Sequence, residues 1–64
     1  MNTTVREDIK LSMKVSIEQK KDQRTGALSE GTVKDILTTS TNHPHGIKVR
    51  LSTGEIGRVK IIRE

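Results

Sequence analysis

Apolar side chains in this sequence alternate. In "MKVSIEQ", Met13, Val15 and Ile17 fall on one face, and in "GIKVRLS", Ile47, Val49 and Leu51 do the same. Successive side chains of a strand point to opposite faces, so a period of two describes half-buried strands. No window of helix length carries an apolar stripe at three- and four-residue spacing. Turn formers separate the runs, in "KDQRTG" and "TSTNHPHG". The pattern predicts an all-β chain with strands over 13–19, 28–37, 46–51 and 55–62. Residues 1–8 are expected to be disordered or to form a short helical turn, with Thr4 capping ahead of Glu7. The domain proper is expected over 9–64.

What such strands can bury is limited. The chain has 64 residues with no cysteine, Phe, Tyr or Trp, so the core must come from Val, Ile, Leu and Met. Burial stabilises by about 25 cal/mol per Å², which leaves a thin margin over chain entropy in a single small domain. Disulfides, thiolate zinc sites and cysteine nucleophiles are excluded. No apolar run approaches the length of a membrane span, and "MNTTVREDIK" lacks the apolar core and cleavage site of a signal peptide. A soluble cytoplasmic protein is the expectation.

One internal echo bears on shape. "GTVKDIL" (31–37) and "GRVKIIR" (57–63) share Gly, Val, Lys and Ile at matching offsets. In each, the valine and the isoleucine three residues later have opposite strand parity. Both can face one core only if the strand carries a bulge or bend, for which Gly31 and Gly57 offer the freedom. Short bent strands with glycine corners suit a small barrel. In the last hairpin, "LSTGEI" predicts a tight turn with Gly54 left-handed. A bulge at Gly57 would then set Val49 opposite Val59 and Ile47 opposite Ile61. Outside, it would set Lys48 opposite Lys60 and Arg50 near Arg58.

Charge is unevenly placed. His43 to Arg63 holds five basic residues (Lys48, Arg50, Arg58, Lys60, Arg63) against Glu55, whereas the first 42 residues hold seven basic and six acidic ones. Like charges across a strand pair are destabilising, so a basic platform there reads as a phosphate-binding face, the alternative being long side chains splayed into solvent at almost no cost. The candidate phosphate contacts are Lys34, His43, His45, Lys48, Arg50, Arg58 and Lys60, with Lys20, Lys21 and Arg24 as a secondary basic loop. His43 and His45 supply at most two ligands where zinc wants three or four, so "NHPHG" is expected to be a turn without a metal. No nucleophile elbow or phosphate-binding glycine loop is present, so neither an enzyme nor a cofactor is expected.

The blocks "KKDQRTG", "GTVKDILTTSTNHPHGIKVRL" and "GRVKII" resemble the YwbE-like family of small uncharacterised proteins, over roughly Ile9 to Ile62. Where that family's pattern has Pro-Gly before the first strand, this chain has Leu11-Ser12. The resemblance carries no catalytic residues. At the level of fold the pattern is also similar to KOW-type and other SH3-like barrels, many of which bind RNA or ribosomal components. The expectation is a small SH3-like β-barrel of four to five short, bent antiparallel strands. It would act as a non-enzymatic module binding RNA or a ribonucleoprotein through phosphates. The alternative is a protein–protein adaptor or homodimer using a sheet edge, with Leu37 and Ile62 in an apolar patch. No membrane or small-molecule partner is expected.

Overall fold

A computed structural model describes residues 2–20 and 25–63. The alternation becomes four strands, β1 (Lys14–Glu18), β2 (Ser29–Ile36), β3 (Lys48–Leu51) and β4 (Ile56–Ile62). All are antiparallel, and β4 returns to pair with β1, so the sheet closes into a barrel. The inward positions of the alternation fill it. Met13, Val15, Ile17, Val33, Ile47, Val49, Leu51 and Val59 are buried together, and Ile9 from the entry segment joins them. Among the described residues no helix is long and apolar enough to cross a membrane.

The bulges required by the repeated motif exist, but they fall on the lysines. Val33 pairs with Leu51 and Asp35 with Arg50, which leaves Lys34 as the extra residue of β2. Ile17 pairs with Val59 and Ser16 with Ile61, which leaves Lys60 as the extra residue of β4. Each bulge restores inward parity beyond the lysine, and Ile36 and Ile62 pack against the core as a result.

The register of the last hairpin differs from the expected one. Gly54 is left-handed (φ 96°), and its N–H donates to the Leu51 carbonyl at 2.8 Å. The three-residue turn sets Leu51 against Glu55, so Val49 faces Gly57 and Lys48 faces Arg58. Arg50 faces Ile56 rather than Arg58, and Ile47 faces Val59 through a backbone hydrogen bond of 2.9 Å. Ile61, expected inside, is exposed. Gly57 carries no bulge. Its role belongs to the other seam, where a Cβ would stand 2.6 Å from the Glu18 carbonyl oxygen of β1.

Pairing for pairing, the first hairpin recurs in the second. Lys14–Thr32 and Val15–Gly31 correspond to Lys48–Arg58 and Val49–Gly57. The two seams between hairpins match as well, since Val15–Ile62 and Ile17–Val59 correspond to Val49–Ile36 and Leu51–Val33. In the cyclic strand order this is a half-turn about the barrel axis, β1 onto β3 and β2 onto β4. Even the entry residues agree, because Ser12 (φ 70°) precedes β1 as Gly46 (φ 101°) precedes β3.

Before β1 the chain forms a short 3-10 turn at Arg6–Asp8 that has no side-chain cap. Thr4 does not cap it, because its hydroxyl donates instead to Asn2 Oδ1 at 2.6 Å. The segment is tied to the β2–β3 connection. The Thr3 and Thr4 carbonyls accept from the Ile47 and His43 N–H groups, and the Arg6 N–H donates to the Thr41 carbonyl, all at 2.9 Å.

Candidate nucleic-acid interface

The turn "HPHG" is built before any partner is considered. The Gly46 N–H closes it on the His43 carbonyl at 3.0 Å. His43 Nδ1 accepts the His45 N–H at 3.2 Å, and the two rings lie 5.6 Å apart. Gly46 is required here on two counts. Its φ is left-handed, and a Cβ would meet the Val59 carbonyl oxygen at 2.6 Å.

Two cations of β4 are pinned on this turn. Arg58 Nη1 donates to the Gly46 carbonyl at 3.1 Å, and Lys60 Nζ donates to the His45 carbonyl at 3.0 Å. With Glu18 of β1 they line a shallow cleft of about 500 Å³ beside His45. Arg58 stands between Lys48 on one side and Glu18 on the other. The His43 imidazole is held below its ordinary pKa by desolvation, by the Arg58 guanidinium and by His45. It therefore stays neutral at physiological pH, as its acceptor role in the turn demands.

The structure thus unites His43, His45, Lys48, Arg58 and Lys60. It does not bring in the other candidates. Arg50 forms an ion pair with Asp35 at 3.3 Å, so its charge is already partnered. Lys34 belongs to the β2–β3 seam, across the barrel from the β4–β1 seam that carries Lys60. Lys20 is exposed at the end of β1, and Lys21 and Arg24 lie outside the described residues. Among the described residues no three of His, Cys, Asp and Glu are placed to hold a metal ion. Sequence reasoning missed Glu18, the carboxylate in the cleft. Its place there depends on the β1–β4 register, which no local pattern announces.

Fold and surface together define a small closed β-barrel with a basic cleft at one histidine turn. The chain belongs to the uncharacterized conserved protein family DUF2196, whose model matches residues 2–62. It is 59% identical over 58 residues to the uncharacterized protein YwbE of Bacillus subtilis (strain 168), covering 91% of this chain and 89% of that protein. No solved structure matches it.

Proposed function

We propose that this barrel, taken as an SH3-like module, is a non-enzymatic RNA or ribonucleoprotein binder that grips backbone phosphates. The observation that carries the reading is the pinning of Arg58 and Lys60 on the turn carbonyls. It holds two cations in place at one cleft, with Lys48 beside Arg58 and Glu18 as the cleft's carboxylate. Ordered cations lose less entropy when they bind an anion. With no Phe, Tyr or Trp in the chain, the large aromatic platforms for base stacking are absent, so contact is made chiefly through charge and shape with little sequence preference.

The adaptor reading finds less support. Each of β1 to β4 pairs on both sides, so among the described strands none offers a free edge to a partner strand. Leu37 and Ile62 are half-buried, and Ile62 packs on the core.

Fluorescence anisotropy with a labelled RNA over a salt series tests the proposal. Binding should weaken steeply with salt, and the Lys48→Gln/Lys60→Gln variant should lower the slope of log K against log[salt] by roughly 1.4, at 0.7 per lost phosphate contact. Binding by the double variant equal to that of the parent would overturn it, as would a parent that binds no RNA in a salt-dependent way.

A further inference from the structure

The half-turn that relates the hairpins also relates their outward faces. Thr32 lies between Lys14 of β1 and Ser52 after β3, as Arg58 lies between Lys48 of β3 and Glu18 of β1. The link to Ser52 is its N–H, which donates to the Thr32 carbonyl at 2.8 Å. Lys34 is the bulge residue on this side as Lys60 is on the other. A bulge re-aims the side chain it releases from the ladder, and both bulges release a lysine. Lys14 and Lys34 are exposed, and among the described residues neither has an ion-pair partner. The nearby carboxylates are already engaged, Asp35 by Arg50 and Glu30 by Arg63.

We propose that Lys14, Thr32, Lys34 and Ser52 form a second phosphate-contacting surface on the opposite side of the barrel, and that the ligand is an RNA strand long enough to touch both surfaces. The proposal rests on the RNA-binding reading and narrows its ligand from any phosphate to an extended polyanion. The chemistry suits phosphate oxygens. Two ammonium groups supply charge, the Thr32 and Ser52 hydroxyls supply donors, and the place that Glu18 holds in the first cleft is taken here by Ser52. The barrel measures 28 × 23 × 18 Å, so one short oligonucleotide cannot lie on both sides at once. A longer strand that reaches both gains effective concentration at the second contact without any new kind of interaction.

The test compares a tetranucleotide with an RNA of about 20 nucleotides, a length beyond the usual footprint of a small barrel. The Lys14→Gln/Lys34→Gln variant should lose about tenfold or more in affinity for the long RNA, and its salt slope should fall by roughly 1.4. Its affinity for the tetranucleotide should stay within about twofold of the parent, since the first surface is intact. Circular dichroism and melting temperature should match the parent. If the double variant unfolds, the single variants Lys14→Gln and Lys34→Gln should each show half the slope change. Long-RNA binding unchanged in Lys14→Gln/Lys34→Gln but weakened in Lys48→Gln/Lys60→Gln would overturn the second surface and leave the first standing. A parent that binds neither RNA in a salt-dependent way would overturn both.

Discussion

The two hairpins share a register and differ in what they place upon it. Inside, the correspondence is close: Val15 and Val49, Ile17 and Leu51, Val33 and Val59 are all buried at equivalent pairings. Outside, Thr32 becomes Arg58, and the entry residue Ser12 becomes Gly46 within a histidine turn. The backbone therefore follows from inward valines, two bulges and two left-handed entries. Chemistry is free to vary on the outward positions. That division separates what keeps the barrel closed from what its surface presents.

Equivalent glycine and serine positions give the strongest ways to break the correspondence. Gly46→Ala should cost roughly 2–4 kcal/mol, combining left-handed strain with a clash against a backbone oxygen that cannot yield. Ser12→Gly at the matching entry should instead stabilise by about 0.5–1 kcal/mol, because it removes left-handed strain from a residue with a Cβ. Urea denaturation of the two variants checks both signs. Two destabilised proteins would show that the entries are not equivalent.

A second contrast lies between Gly31 and Gly57. At Gly57 an added Cβ meets the Glu18 carbonyl oxygen at 2.6 Å, and at Gly31 it meets the Leu51 Cδ1 methyl at 2.7 Å. A methyl at the end of a side chain can rotate away, and a paired carbonyl cannot. Gly57→Ala should therefore lose about 1–3 kcal/mol and Gly31→Ala about 1 kcal/mol or less. Equal losses in chemical denaturation would show that the β2–β3 side is as rigid as the β4–β1 seam.

The smallest expected effect is a pH dependence at the turn that leads into the second hairpin. The His43 imidazole feels Arg58 of β4 and His45 of its own turn, and its Nδ1 accepts the His45 N–H, while Glu18 and Lys60 line the adjoining cleft with His45. Its folded pKa is depressed, so between the folded and unfolded values the unfolded chain binds more protons. The stability it contributes is complete above its unfolded value near 6.5 and falls as pH drops through that window to the folded value. Protonation also adds a positive charge beside Arg58, so the proposed RNA binding should tighten over the same descent. Melting and binding series from pH 7.5 to about 5 should show opposite trends, and His43→Asn should flatten the melting series and weaken the binding trend. Parallel trends would remove His43 from the site.

How much of this was legible in the sequence depended on the range of the interaction. All four strands, the left-handed Gly54 and the need for bulges came from local alternation and turn chemistry. The register did not. Pairing apolar with apolar across β3 and β4 treated β4 as a strand with one neighbour, whereas in a closed barrel it has two. Gly57 then looked like a bulge for β3, when its missing side chain makes room for β1. The expected pairing of Lys48 with Lys60 and of Arg50 with Arg58 failed for the same reason. Arg50 is taken by Asp35 across the β2–β3 seam, and Glu18 stands opposite Arg58 in the β4–β1 register. The likeness of "MKVSI" to "IKVRL" was present as alternation, and only the paired registers made it a repeat.

Closure at the β4–β1 seam also orders the assembly of the molecule. The three-residue turn lets β3 and β4 find each other across almost no intervening chain. Val15 and Ile62 instead come from near the two ends of the barrel's sequence. Loop entropy grows with the logarithm of the chain enclosed, so this seam is the costliest contact to form, and contacts of that kind slow folding. Gly57, bare of a side chain where β4 passes the Glu18 carbonyl, lies on that costliest contact.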